Sequence, residues 1–293
     1  MKKVRKVIFP AAGFGTRFLP ATKVIPKEML AVVDKPIIQY GVEEALAAGC
    51  DQLIVITAHG KSAIEDHFDI SHELETALEK RGKTELLELS RGISNMVQIS
   101  YVRQKEAKGL GHAVLMAKDL IDDEPFAVIL PDDVIDAPVP CLKQMIDIFE
   151  NLQCSILATE VVEGPAISSY GVLDGDPLPE NPRIIDVRGM VEKPTMADAP
   201  SKNAIIGRYI LTPRIFDLLE SLTPGAGGEL QLTDGIKGLL KTEKVFGYRF
   251  EGTRYDAGDK LGMLMATVDF ALKRKDLGPA FREYLKGLHL SDC

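Results

Sequence analysis

The chain of 293 residues carries 35 basic and 43 acidic side chains, which gives a formal net charge of −8. This acidic balance argues against a nucleic-acid partner, which would need a basic face, whereas a small phosphorylated ligand needs only a few local cations. The four cysteines form no CxxC pair and predict free thiols in a cytoplasmic protein. No stretch approaches ~20 apolar residues, and the apolar segment near the N-terminus stops at Pro10, so neither a membrane span nor a secretory signal is expected.

Short apolar segments bounded by turn signals predict strands that are buried on both faces. They are KVIF at 6–9, QLIVIT at 52–57, VQISYV at 97–102, FAVIL at 126–130, CSILATEV at 154–161 and a last one at 245–250. Helical spacing of apolar residues predicts helices at 36–48 and 138–150 between them. Alternating strands and helices indicate an α/β fold with a doubly wound, mainly parallel, Rossmann-like sheet. Ligands of such sheets bind at the carboxyl ends of the strands.

The second half of the chain has a different composition. Residues 163–210 are rich in Pro and Gly and predict a small mixed or antiparallel subdomain, and the segment from about 260 predicts C-terminal helices. We therefore expect a single domain, 1–293, with three parts at about 1–160, 161–258 and 259–293. The amphipathic C-terminal segment could pack on its own domain or on a second copy.

A glycine-containing loop, AAGFGTRF at 11–18, follows the first strand, and such loops bind phosphate through backbone N–H groups. The dinucleotide motif G-x-G-x-x-G fits Gly13 and Gly15 but finds Phe18 at its third glycine. Asp34 does lie at a suitable distance for a ribose contact. A dinucleotide-dependent oxidoreductase is therefore disfavoured but stays an alternative.

The whole opening stretch, AAGFGTRFLPATK with PKEML after it, resembles the signature of the sugar-phosphate nucleotidyltransferases. Within that family it is most similar to the bacterial UTP–glucose-1-phosphate uridylyltransferases, also called UDP-glucose pyrophosphorylases. The resemblance runs from about residue 4 to 275, with its motifs in the expected order. It implies an enzyme that makes UDP-glucose and pyrophosphate from UTP and glucose 1-phosphate. It further implies Mg²⁺ as cofactor and a homo-oligomer, a dimer or tetramer.

The resemblance also assigns site residues, and their chemistry agrees with it. Arg17, Lys27 and Lys193 would neutralise phosphate charge as the catalytic cations, and the amide of Gln104 can match the edge of uracil. His112 receives no catalytic role. The nucleotide-binding set implied is Ala11, Ala12, Gly13, Gly15, Thr16, Arg17, Gln104, Gly109 and Gly111.

Two further motifs supply the expected metal and sugar sites. Asp132, directly after the strand at 126–130, and Asp256, in RYDAGDK, are the implied Mg²⁺ ligands, with Asp133 a less certain candidate. The implied sugar-binding set is Gly171, Glu192, Lys193 and Gly207, in which the Glu192 carboxylate would accept hydrogen bonds from sugar hydroxyls.

The sequence leaves two other functions open. Thymidylyl or other nucleotidyl transfer on the same fold is one, because thymine differs from uracil by a single methyl group, worth only ~1–3 kcal/mol of selectivity. The other is a non-catalytic relative that binds a nucleotide or nucleotide sugar for regulation. This second function is disfavoured by the presence of all the charged residues that the family uses, because a protein that only binds does not need every one of them. These residues are Arg17, Lys27, Asp132, Lys193 and Asp256.

Overall fold

A nine-stranded sheet forms the centre of the protein, as described by a computed structural model for residues 2–225 and 228–288. The strands of this part of the chain are β1 Lys6–Pro10, β2 Ala31–Val32, β3 Lys35–Pro36, β4 Gln52–Thr57, β5 Ile99–Arg103, β6 Phe126–Ile129, β7 Asp133–Asp136, β8 Ser155–Val161, β9 Gly171–Leu178, β10 Asn181–Glu192, β11 Asn203–Leu211, β12 Val245–Arg249 and β13 Thr253–Asp256. The sheet order is β5-β4-β1-β6-β11-β8-β12-β10-β9, while β2–β3 and β13–β7 form separate antiparallel pairs.

Helices cover both faces of this sheet. They are α1 Ile37–Ala47, α2 Ser62–Phe68, α3 His72–Lys80, α4 Thr84–Ser94, α5 Leu110–Leu115, α6 Lys118–Ile121, α7 Cys141–Leu152, α8 Ile215–Ser221, α9 Leu232–Leu239, α10 Lys260–Lys273 and α11 Gly278–Lys286. Alternate residues of β1 pack in opposite directions, with Val7 and Phe9 in the core under α1 and α7 and Ile8 in the core under α5, α8 and α9. The strand that carries the opening loop is therefore buried on both faces from Lys6 to Phe9.

The predicted α/β class is confirmed, but the sheet is more mixed than predicted. Neighbours β5, β4, β1 and β6 are parallel, as are β8 and β12, whereas β11 runs antiparallel to both β6 and β8. The sequence placed β11 in a separate subdomain, and this is wrong, because it lies in the middle of the main sheet. Its stretch from Ala204 to Leu211, in which Arg208 is the one charged residue, is buried throughout, which is typical of a central strand.

The β9–β10 hairpin extends the same sheet at its far edge, with irregular register between Asn181 and Ile185 and between Val187 and Gly189. The proposed parts 1–160 and 161–258 thus share one sheet, and their division stays a prediction. The C-terminal helices are confirmed as α10 and α11, although the third predicted part also includes 289–293, outside the described residues. Within the described residues, none of the helices has the length and apolar character needed to cross a bilayer.

Candidate functional site

The opening loop lies at the carboxyl end of β1 and packs against Lys27. Its first residue, Ala11, donates its N–H to Ile56 at the end of β4 over 2.8 Å, and Ala11 and Ala12 are buried. Gly15 turns the chain with a left-handed φ of 67°, and a Cβ there would lie 3.0 Å from Lys27 Cβ. A side chain at this position would meet both strain and a clash. The loop therefore brings its backbone close to the lysine.

Lys27 forms an ion pair with the predicted metal ligand Asp132. The Nζ–Oδ2 distance is 2.5 Å, and both side chains are about three-quarters buried. Burial alone lowers the pKa of Lys27, but Asp132 and Glu28 beside it raise that pKa above its ordinary value. Burial raises the pKa of Asp132, yet the ammonium of Lys27 brings it below its ordinary value. Both groups are therefore charged at neutral pH.

Asp132 and Asp256 approach each other across Gly258. A Cβ built on Gly258 would lie 2.8 Å from Asp132 Oδ2 and 3.0 Å from Asp256 Oδ1, so the space between the two carboxylates exists only because this residue is glycine. In the described part of the chain, no group of three or more His, Cys, Asp and Glu side chains could hold a metal ion. Mg²⁺ bound to nucleotide needs only one or two carboxylates, because phosphates and water complete its shell. The pair Asp132 and Asp256 fits such an ion.

Asp133 is occupied by the protein itself. Its Oδ2 accepts the N–H of Gly207 over 2.7 Å, and its Oδ1 accepts a hydrogen bond from Arg254 Nε. Its backbone carbonyl accepts a hydrogen bond of 2.6 Å from Arg208, whose guanidinium is buried against Glu44. Asp133 thus fixes the backbone at Gly207, and its side-chain oxygens are both engaged.

A cavity of about 380 Å³ brings some of the predicted site residues together, whereas the loop at 11–16, Gln104, Gly109 and Gly111 are not among the residues that line it. Those that line it are Arg17, Asp132, Gly171, Glu192, Gly207 and Asp256. Lys27 joins this group through Asp132, and Lys193 through Glu192, whose Oε1 lies 3.7 Å from Lys193 Nζ. Residues more than 200 positions apart in sequence therefore share one chamber at the end of the sheet, which is where the topology predicted it.

The sugar side of the cavity is organised around Glu192. Thr233, in the first turn of α9, donates its hydroxyl to Glu192 Oε2 over 2.6 Å, and a Cβ at Gly171 would lie 3.2 Å from the same oxygen. Oε1 keeps free acceptor capacity for a ligand. Lys193 has a left-handed φ of 45° and donates its N–H to Tyr170 O over 3.0 Å. Its side chain is more than half exposed and can reach an incoming phosphate.

Gln104 is buried at the end of β5 and is oriented by a histidine. Its N–H donates to Thr57 O over 2.8 Å, and its Nε2 lies 2.7 Å from His112 Nδ1. Burial lowers the pKa of His112, so its ring is neutral at pH 7 and Nδ1 can accept this hydrogen bond. The histidine thus fixes the direction of the amide that was predicted to bind uracil.

Gly109 and Gly111 have a packing role that the sequence did not reveal. A Cβ on either glycine would lie 2.8 Å from Leu230 O. Gly111 N–H donates to this oxygen, and Leu230 N–H donates to Lys108 O, each over 2.8 Å. The backbone at 230 therefore fills the space beside both glycines, while their contact with the base stays a prediction.

Arg254, Tyr170 and Thr233 also line the cavity, and the sequence did not single them out. Arg254 stands beside Asp256 in RYD, where an Arg–Asp pair is usually an exposed ion pair. Thr233 stands at the start of a helix, where Thr is common for capping. Neither signal distinguishes a site residue from an ordinary one.

The sequence and the fold of this chain are similar to those of known proteins. The family model described as Nucleotidyl transferase matches residues 6–271. The UTP–glucose-1-phosphate uridylyltransferase of Bacillus subtilis (strain 168) is 52% identical over 288 residues, which is 98% of each chain. A solved structure of a UDP-glucose pyrophosphorylase complexed with UDP-glucose is 46% identical and superposes with a TM-score of 0.85 over 92% of this chain and 100% of the other.

A UTP-bound enzyme of the same name from Acinetobacter baumannii is 41% identical and superposes with a TM-score of 0.91, covering 98% of this chain and 100% of the other. The resemblance predicted from the motifs is thus confirmed, and it extends over nearly all of the sequence. The family match, the sequence identities and the structural superpositions agree with one another. The chain therefore belongs to the nucleotidyl transferase family.

Proposed function

We propose that this chain transfers a uridylyl group from UTP to glucose 1-phosphate, giving UDP-glucose and pyrophosphate. The observation that carries the proposal is the single cavity that holds Arg17, the pair Asp132 and Asp256, and the sugar-side Glu192. The names of the most similar relatives, and the UTP and UDP-glucose held by two structural neighbours, support the same reaction.

The nucleotide is bound by the opening loop and by Gln104. Backbone N–H groups of the loop at 12–16 face the triphosphate, and Arg17 and Lys27 neutralise its charge. The amide of Gln104, fixed by His112, pairs with the edge of uracil. Lys27 is well suited to this role, because Asp132 keeps it protonated at neutral pH.

Asp132 and Asp256 would hold Mg²⁺. When bound, the ion neutralises negative charge on the reacting phosphates. Asp132 comes from the loop after β6 and Asp256 is the last residue of β13, and the glycine at 258 keeps the space between them open. Lys27, paired to Asp132, links this position to the phosphate loop.

The sugar phosphate is held on the opposite wall and supplies the nucleophile. Glu192 accepts hydrogen bonds from adjacent sugar hydroxyls, and Gly171 and Gly207 leave room for the ring. Lys193 orients the phosphate, one oxygen of which attacks the α-phosphorus of UTP in line while the bond to pyrophosphate breaks. The reaction needs no enzyme nucleophile, so positioning and charge neutralisation account for catalysis.

We further propose that the protein acts in the cytoplasm as a homodimer or homotetramer. Three apolar side chains of α10, Leu261, Leu264 and Met265, are each more than half exposed and could contact a second copy. The cysteines at 50, 141 and 154 are free thiols, which suits a reducing compartment.

The test is to incubate the purified protein with Mg²⁺, glucose 1-phosphate and each nucleoside triphosphate in turn, and to measure pyrophosphate release. We expect release with UTP, and none when the sugar phosphate or the metal is omitted. A preference for dTTP would instead indicate thymidylyl transfer on the same fold. UTP binding without any release would indicate a non-catalytic binder, and NAD(P)H binding would favour the oxidoreductase.

A further inference from the structure

Arg254 lies at the floor of the cavity and contacts both of its walls. Its side chain is only 7% exposed. Nε donates to Asp133 Oδ1, Nη1 donates to Tyr170 Oη over 3.1 Å, and Nη2 lies 3.7 Å from Asp256 Oδ2. Nη1 also lies 3.4 Å from Glu160 Oε2. One guanidinium therefore contacts four side chains, which lie on β7, on β8, just before β9 and on its own strand β13.

Two of these partners, Asp133 and Tyr170, support the sugar side of the proposed site. Asp133 holds the N–H of Gly207, on the sugar side, with its other oxygen. Tyr170 precedes Gly171, and its carbonyl accepts the N–H of Lys193. The Tyr170 ring lies 5.0 Å from Arg254 Cζ, which adds a cation–π contact to the hydrogen bond.

We propose that Arg254 is a positioning residue that holds the sugar-side backbone, at Tyr170 and Gly207, in register with the metal-side carboxylate of Asp256. The inference rests on the proposed function and names the residue that aligns the sugar phosphate with the nucleotide. Arg254 acts through these neighbours, and its buried side chain takes no part in the phosphoryl chemistry.

The chemistry of the side chain explains why arginine stands here. A guanidinium presents five N–H donors in a fixed plane, so it can satisfy Asp133 and Tyr170 at once in different directions. A lysine would retain the charge but has a single nitrogen, which cannot reproduce this fork. Asp256 Oδ2 lies 3.7 Å from Nη2 and 3.5 Å from Tyr170 Oη, and these long contacts leave Asp256 able to bind a cation.

The test compares Arg254→Lys, Tyr170→Phe and the double variant with the unaltered protein. In Arg254→Lys we expect the KM for glucose 1-phosphate to rise about tenfold and the KM for UTP to stay within about twofold. Tyr170→Phe should also raise the KM for glucose 1-phosphate. The double variant should be less impaired than the product of the two single effects, because both changes remove the same hydrogen bond between Arg254 and Tyr170. Arg188→Lys is the matched control, since Arg188 forms exposed ion pairs with Asp174 and Asp176.

Binding gives a second readout that needs neither turnover nor metal. Calorimetry in EDTA should show UDP-glucose binding weakened about tenfold by Arg254→Lys, with UTP binding retained. Equal loss for both ligands, unchanged UDP-glucose binding, or independent effects in the double variant would overturn the inference. If Arg254→Lys does not fold, Tyr170→Phe decides alone, and an unchanged KM for glucose 1-phosphate overturns the inference.

The two proposals fail separately. If the wild-type protein releases no pyrophosphate, the proposed function is contradicted. UDP-glucose binding can still be compared between the wild type and the variants. An active wild type with an Arg254→Lys variant of unaltered kinetics and binding contradicts only the positioning role.

Discussion

Lys27 Nζ lies 2.5 Å from Asp132 Oδ2, so a cation of the opening region is paired with a carboxylate that follows the neighbouring strand β6. This contact joins the predicted phosphate loop to the predicted metal ligand. It also keeps both groups charged, because each shifts the pKa of the other in the direction of its charged form.

Replacing Lys27 by methionine should therefore remove phosphate neutralisation and leave Asp132 without its cation. We expect kcat to fall by about 100- to 1000-fold, the usual loss when one charge-stabilising donor is removed from an active site. Steady-state pyrophosphate release measures it. Lys143→Met, which breaks an exposed pair with Asp147 on α7, is the control and should keep full activity. A kcat near that of the wild type would refute the role of Lys27.

The sequence predicted Lys27 and Asp132 separately, but it did not predict their pairing. They are 105 residues apart, and local patterns identify strands without saying which strands are neighbours. The same limit explains β11, whose apolar residues were recognised as a strand but were assigned to a subdomain. By contrast, the segment QLIVIT was predicted as a strand with the bounds that β4 has, because its length and composition suffice.

Arg254 illustrates what tertiary structure adds. An arginine two residues before an aspartate usually forms an exposed ion pair, and nothing local distinguishes this one. It is buried only because β13 pairs with β7 and faces the loop at Tyr170. Gly109 and Gly111 were predicted to contact the base, which stays a prediction. Their packing against Leu230 could not be predicted, because this neighbour lies more than 100 residues away in the sequence.

The glycine at 258 offers a direct test of the metal site. Gly258→Ala places a methyl group 2.8 Å from Asp132 Oδ2 and 3.0 Å from Asp256 Oδ1, so the carboxylates must move apart. We expect the Mg²⁺ concentration for half-maximal activity to rise about tenfold or more, as for other changes that disturb metal ligands.

The measurement is a Mg²⁺ titration at saturating substrates, with thermal unfolding to confirm that the variant folds. Gly189→Ala serves as the control, because a Cβ there would make only ordinary contact with Asp174. An unaltered Mg²⁺ requirement in Gly258→Ala would exclude this position for the ion.

The pairing of Gln104 with His112 predicts a pH dependence of UTP binding. Burial lowers the pKa of His112, so the folded protein takes up this proton only below the ordinary histidine value of about 6.5. At neutral pH, His112 Nδ1 accepts a hydrogen bond from Gln104 Nε2. Once Nδ1 is protonated it becomes a donor, so the two groups repel each other. The KM for UTP should thus be constant above about pH 6.5 and rise as the pH falls below it.

UTP itself gains a proton near pH 6, so the comparison must be made with a variant. In His112→Gln, the part of the rise in the KM for UTP at acidic pH that is due to the protein should disappear. In His72→Gln, which changes an exposed position, this part should remain. Identical pH profiles in His112→Gln and the wild type would contradict the orienting role of His112.

Lys193 tests the division of the site into nucleotide and sugar sides. Its side chain lies beside Glu192 and is more than half exposed, and among the described residues its ion pair is with Glu192 at 3.7 Å. Lys193→Ala should lower kcat by about 100-fold or more, because the ammonium that orients the attacking phosphate is lost. UTP binding, measured by calorimetry, should survive, since the lysine lies on the sugar wall. Lys202→Ala, which breaks an exposed pair with Glu163, is the matched control. An unchanged kcat in Lys193→Ala, or loss of UTP binding, would place this lysine outside the sugar-phosphate side.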